Sequence, residues 1–207
     1  MSAYCIGQES PNFLWLVCED QSLFFSMYGD SSANTPNINQ LAKDGLVYQN
    51  CHTPSPVCAP SRSSLITGMY PTTLGTQHMR AYKKSAENNT INPHNSLPYY
   101  SAKPKKPIRF FTEDLRANGY YCTNNSKEDY NMLTSPLSWD ESSQAAHWRN
   151  RQKDQSFFSI FNFNVTHESN VWKNKNSYSK QELENVLIPN IFPDDDEIKS
   201  DILTNYK

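Results

Sequence analysis

The stretch FLWLVCED, Phe13 to Asp20, is a continuous apolar run that ends abruptly in two carboxylates. Such a run predicts a buried strand with acids at its carboxyl end. Beyond it, TPNINQLAKDG predicts a helix. Thr35 takes the N-cap, Pro36 the first helical position, where a missing N–H costs nothing, and Gly45 the stop. LVYQNC, Leu46 to Cys51, predicts a second strand, so the opening reads as a strand-helix-strand unit.

The pattern returns after a Pro- and Asn-rich stretch from Tyr82 to Pro107 that reads as a surface loop. TEDLRANG predicts a short helix capped by Thr112 and ended by Gly119. YYCT predicts a strand running into NNSKEDYN, and FFSIFNFNV predicts another running into THES. SKQELENVL reads as a further short helix, Asp194 to Glu197 as a solvated helix start, and EIKSDILTNYK as a last helix that stops without a cap. Strands alternating with helices predict an α/β fold, a mostly parallel sheet flanked by helices.

In open sheets of this kind ligands gather beyond the carboxyl ends of the strands. Three such ends here deliver Glu19 and Asp20, then Lys127, then His167. Their order predicts convergence, although any one of them is also what a strand end meeting solvent looks like.

A length of 207 residues fits one domain, or one with an excursion. The net charge of −2, with acids and bases mixed along the chain, offers no basic face to release counterions, so nucleic acid is excluded as the expected partner. No apolar run approaches the roughly 20 residues of a membrane span. MSAYCIGQES lacks the features of a secretory signal. The cysteines Cys5, Cys18, Cys51, Cys58 and Cys122 are odd in number and show neither a disulfide framework nor a CxxC zinc spacing. The sequons at Asn88, Asn124 and Asn164 carry little weight in a chain so rich in asparagine.

The densest chemistry lies in CAPSRSSLITG, Cys58 to Gly68. A helix beginning near Ser61 would aim its free N–H groups at Cys58, lowering the thiol pKa, and would carry Arg62 on its first turn as a fixed fork for an oxyanion. On these residues alone Cys58 packs, pairs with Cys51, or reacts.

CxPSRxxLxTG is the signature of the sulfatase family, and Cys58, Pro60, Ser61, Arg62, Leu65, Thr67 and Gly68 fill every fixed position. PNFLWLVCEDQ resembles the opening strand of that family, and TPNINQLAKDGLVYQNCHTPSPVCAPSR its run from first helix to nucleophile loop. GYYCTNNSKEDYN and FNFNVTHES sit where members carry an active-site lysine and histidine. The resemblance, nearest to the branch of heparan N-sulfatase and bacterial glycan sulfatases, spans about Pro11 to Tyr206.

The resemblance implies an alkaline-phosphatase-like fold and a sulfuric ester or sulfamate hydrolase acting on a sulfated glycan. It implies that Cys58 is converted to formylglycine by a formylglycine-generating or anaerobic maturation enzyme. It further implies that Glu19, Asp20 and the modified Cys58 hold Ca2+, with Mg2+ as the alternative, and that Arg62, Lys127 and His167 are catalytic. Glu19 departs from the two aspartates of most members. His78 is a candidate for substrate contact, Tyr130 and Asn131 for the pocket wall, and His52 and His147 for structural roles.

Members carry two further metal ligands and a smaller C-terminal domain, and no segment after His167 matches them. Residues 1–10 therefore read as an N-terminal remnant and 11–207 as the N-terminal part of a catalytic domain, binding calcium poorly and turning over little by itself. The implied compartment of the whole protein is periplasmic, secreted or lysosome-like. The competing expectations are a phosphodiester or phosphonate hydrolase of the same superfamily and a non-catalytic domain that binds glycan or protein.

Overall fold

The computed structural model describes residues 10–79, 101–104 and 107–206, so the stretch from Tyr82 lies largely outside the described residues, as do Cys5 and the Asn88 sequon. The chain divides into two compact units. One takes in the residues up to Val17 together with Thr53–Asn162; the other takes in Cys18–His52 and the residues from Phe163 onward.

The first unit is built on a sheet of four strands, β1 (Phe13–Cys18), β2 (Tyr121–Asn125), β3 (Glu141–Ser142) and β4 (Phe157–Phe163), in the order β1-β4-β2-β3. β2 is parallel to β4, with Tyr121 opposite Phe157 and Asn125 opposite Phe161, and parallel to β3, with Thr123 opposite Glu141. The Asn12 side chain accepts a hydrogen bond from the Phe157 N–H at 3.0 Å. The α/β fold with a parallel sheet is thus the one the alternating pattern calls for.

Helices α2 (Cys58–Thr67), α3 (Pro71–Leu74) and α4 (Phe111–Ala117) belong to the same unit. Its core joins Ile66 of α2 to Phe110, Cys122, Tyr130, Trp139, Phe158 and Ile160, with Trp15 and Phe111 packed against them. Phe158 is the hub, meeting Trp15 at 5.0 Å and Phe111 at 5.1 Å edge-on. Burial raises the Cys122 thiol to about 12, with Asp140 adding to the shift. That makes Cys122 an inert core residue.

Three expectations are corrected. β1 is half-exposed, because it lies at the sheet edge and turns Leu14 and Leu16 outward while Trp15 and Val17 face the core. LVYQNC forms no strand: Leu46 and Tyr48 are 87% and 71% exposed, so these two side chains find little to bury against among the described residues. α4 starts at Phe111, not after Thr112; Thr112 is buried in the helix, and the Glu113 carboxylate accepts the Phe110 N–H at 3.3 Å.

The second unit is helical. α1 (Pro36–Asp44) has the expected bounds, with Thr35 before it and Gly45 after it, although the Thr35 hydroxyl pairs with Ser26 at 2.8 Å rather than capping the helix. α5 (Glu168–Lys173) and α6 (Lys180–Glu184) both contact α7 (Asp196–Asn205). Ser179 caps α6, accepting the Glu182 N–H at 3.3 Å. Asp195 caps α7, accepting the Glu197 N–H at 2.8 Å, so the acidic run is a helix start. Among the described residues no helix is long and apolar enough to cross a membrane.

α2 closes on Gly68 at φ +69°, a left-handed conformation that costs a side chain. A Cβ built there meets nothing within 4 Å, so the penalty is purely conformational. Gly68→Ala is expected to lower unfolding stability by about 1 kcal/mol in urea titration.

Candidate active site

α2 begins three residues earlier than its sequence predicts. Val57 is the N-cap, the Ser61 N–H closes the first turn on the Val57 carbonyl at 3.1 Å, and Cys58 is the first helical residue. Pro60 does not delay the start, because N–H groups of a first turn have no intrahelical partner to lose. Arg62 therefore follows Cys58 by one full turn and shares its face. The half-buried Cys58 and the exposed Cys51 are both free thiols, which removes the pairing alternative.

Arg62 is buried at 5% exposure, and its guanidinium donates to the Asn162 side-chain oxygen at 2.5 Å. Asn162 lies on β4, where it interrupts an otherwise apolar run. Its amide donates in turn to the Asn124 side-chain oxygen at 2.9 Å and the Asn125 carbonyl at 3.1 Å. Two strands thus fix the acceptor that fixes the guanidinium.

Lys127 follows β2 and reaches Asp129 at 3.8 Å, with both side chains largely buried at 18% and 10% exposure. Cys58 belongs to the same cluster. Its thiol is pushed up, first by burial and then by the Asp129 carboxylate, which also hydrogen-bonds it; Lys127 and the Ala59 N–H pull the other way and lose. The expectation of a lowered pKa is thus corrected, because partial burial and an adjacent anion outweigh a helix start. Asp129→Asn removes one of the raising causes, so the pKa falls. Iodoacetamide at about pH 8 is then expected to alkylate unmatured Cys58 several-fold faster than in the parent protein, read by peptide mass spectrometry.

Asn131 extends this cluster. It is buried at φ +57°, and its amide donates to the carbonyls of Thr76 (3.0 Å) and His78. His78 itself is exposed, with its ring 3.4 Å from the Gln77 amide. Tyr130 is buried in the core, which holds its phenol protonated. His147 caps the short turn Trp148–Asn150, its Nδ1 accepting the Arg149 N–H at 3.1 Å.

In the second unit the two acids after β1 part company. Glu19 is buried at 5% exposure, with its N–H on the Phe163 carbonyl at 3.1 Å and its carbonyl accepting Thr166 Oγ1 at 2.5 Å. Asp20 turns outward at φ +50° and accepts the Glu168 N–H at 2.9 Å. Asp20 Oδ2 lies 4.0 Å from Nδ1 of His167. That nitrogen also accepts the Ser169 N–H at 3.2 Å and lies 3.0 Å from the Ser169 hydroxyl. With Nδ1 accepting, the neutral ring carries its proton on Nε2, the form that can donate outward.

Among the described residues no group of three or more His, Cys, Asp or Glu could hold a metal ion. Glu19 and Asp20 present two adjacent carboxylates, short of the 6–8 oxygens of a calcium shell. The described residues alone do not make a complete site for that ion.

Asp129 and Asn162 escape a reading by motif. The only signals for them are an acid two residues after Lys127 and a single polar residue inside FFSIFNF.

A parallel sheet of this order with flanking helices defines an α/β scaffold, with a thiol at the start of one of its helices. Comparison with known proteins makes it specific: the family model Sulfatase matches residues 11–188. The chain belongs to the sulfatase family. It is 46% identical over 179 residues to an ulvan-active sulfatase of Formosa agariphila, a match covering 86% of this chain and 28% of that protein. It is 34% identical over 79 residues to human N-acetylgalactosamine-6-sulfatase, covering 38% of this chain and 15% of that protein. The solved structure of BT1596, a 2-O GAG sulfatase, shares the fold at 18% identity and a TM-score of 0.55, covering 83% of this chain and 39% of that chain. BT4656 in complex with D-glucosamine-2-N,6-O-disulfate does so at 16% and 0.54, covering 84% and 40%. The chain thus spans under a third of these two curated relatives and about two fifths of these solved chains.

Proposed function

We propose that the protein carrying this chain is a sulfuric ester hydrolase that removes sulfate from a sulfated glycan. The observation that carries the reading is the complete Cys58-to-Gly68 motif folded as one helix, with Cys58 at its first position and Arg62 one turn on. The relatives support the substrate class, since one is named for ulvan and another for N-acetylgalactosamine 6-sulfate.

In this reading a maturation enzyme converts Cys58 to formylglycine, whose hydrated aldehyde supplies one hydroxyl to attack sulfur and a second to release sulfate. The raised thiol pKa supports a precursor role, because a thiol held protonated near neutrality is a poor nucleophile in its own right. Arg62, held by Asn162, supplies a fixed cation for the oxygens of the sulfuryl group. Lys127 adds a second charge, with Asp129 beside it. His167 donates its Nε2 proton to the departing sugar oxygen, while Ser169 holds Nδ1. His78 contributes to substrate contact.

Glu19 and Asp20 supply part of the donor set of a divalent cation, Ca2+ or Mg2+, the rest lying outside the described residues. The span 11–207 is part of a catalytic domain, and the compartment is one where sulfated glycans are met: periplasm, extracellular space or lysosome.

Turnover by the whole protein, made in a host with the maturation machinery, tests the reading. An aryl sulfate is expected to be hydrolysed far faster than an aryl phosphodiester. The reverse order would make the protein a phosphodiesterase of the same scaffold, and turnover of neither would leave a binding domain.

A further inference from the structure

The second unit encloses a cavity of about 520 Å3, within the roughly 300–1,000 Å3 typical of small-molecule sites. His167, Asn170, Val171, Asn174, Asn176 and Tyr206 line most of it, and among the described residues no Asp, Glu, Lys or Arg takes part in the wall. We propose that it is a subsite for a neutral sugar ring of the glycan, unsulfated and without a carboxylate; this rests on the role of His167 in the sulfatase reading.

Much of the wall is held in place by its own hydrogen bonds. The Asn170 amide donates to the carbonyls of Asn164 (2.8 Å) and Val165 (3.0 Å), and the Asn205 amide to Gln21 at 3.3 Å. The Thr204 hydroxyl pairs with that of Tyr178 at 3.1 Å, and the Tyr206 hydroxyl with the Asp30 carboxylate. These commitments fix the Tyr206 ring as an apolar wall, and Val171 adds a further apolar lining residue.

The carboxamides of Asn174 and Asn176 are exposed and take no part in that bonding among the described residues. Each offers two donors and one acceptor, which match hydroxyls that both donate and accept. Nδ1 of His167 is engaged by Ser169, and in the sulfatase reading its Nε2–H serves the departing oxygen of the sulfated sugar, so the neutral ring held by the two asparagines is that sugar's neighbour. A sulfate or uronate would require a cation in the wall to offset its desolvation, and an amino sugar a carboxylate; the wall has neither. A polyhydroxylated neutral ring meets every group it offers.

The test uses the whole protein and saturation-transfer NMR with three neutral disaccharides, cellobiose, lactose and xylobiose, beside glucuronic acid and glucose 6-sulfate. At least one neutral disaccharide is expected to give a signal, to bind at least tenfold more tightly than either charged sugar, and to shift the His167 ring resonances. The Asn174→Ala/Asn176→Ala variant is expected to weaken it tenfold or more, with the amide spectrum otherwise intact. Absence of neutral-sugar binding, preference for a charged sugar, a silent His167 ring, or a double variant that binds like the parent would each overturn the subsite. Aryl sulfate turnover is read separately: hydrolysis without sugar binding removes the subsite alone, and sugar binding without hydrolysis removes the sulfatase reading alone.

Discussion

Cys58→Ala abolishes aryl sulfate hydrolysis by the whole protein, with kcat falling on the order of 10⁴-fold or more, the scale on which removal of a covalent nucleophile acts. Alanine at the first position of α2 keeps the helix, because that residue's N–H has no intrahelical partner and alanine has the best helix propensity. Fold and substrate binding should therefore survive while turnover does not. The parent protein, made in a maturing host, should show an aldehyde in place of the thiol in the Cys58 peptide. A protein with only free thiol at Cys58 and undiminished activity would exclude the formylglycine route. The thiol would then be acting directly against its raised pKa.

The second large effect lies at Arg62. Arg62→Ala removes a buried charge donor held by the Asn162 oxygen, and kcat/KM is expected to fall about 10²- to 10³-fold, the scale of a lost oxyanion contact. Stability drops by roughly 2 kcal/mol in urea titration, because the Asn162 oxygen loses a charge-assisted bond inside the sheet. Arg62→Lys separates the two losses. Its ammonium keeps the charge and recovers part of the stability, but it lacks the planar fork, so the rate should stay low. Full activity in Arg62→Lys would show that charge alone is needed.

Much of this architecture could be read from residue order. Thr35, Pro36 and Gly45 mark α1, and the apolar runs at Phe13, Tyr121 and Phe157 mark three of the four strands. What failed is instructive. LVYQNC has the composition of a strand, yet propensity without a burial partner forms none. β3 is two residues long and exists through its pairing with β2, which no local pattern encodes. α2 starts three residues before Ser61, since a first turn has no N–H bond for Pro60 to break.

The candidate site divides along the same line. Residues inside a dense motif, Cys58 and Arg62, are legible without coordinates. Asp129 and Asn162 are legible only through contacts that sequence distance hides, 100 residues in the case of Arg62 and Asn162. The sign of the Cys58 shift also needed three dimensions, since it depends first on burial and then on a carboxylate 71 positions away, which together outweigh Lys127 and the local backbone.

The bond between Arg62 and Asn162 has one more effect, on assembly of the sheet. If β4 slipped by a single residue, Phe161 or Phe163 would stand where Asn162 stands, and an aromatic ring would replace the amide oxygen that meets the guanidinium. The same slip would break the bonds from Asn162 to Asn124 and Asn125 on β2. The arginine that the sulfatase reading uses on its anion thus also acts as a proofreader: strands in correct register give it the Asn162 oxygen, and strands out of register withhold it.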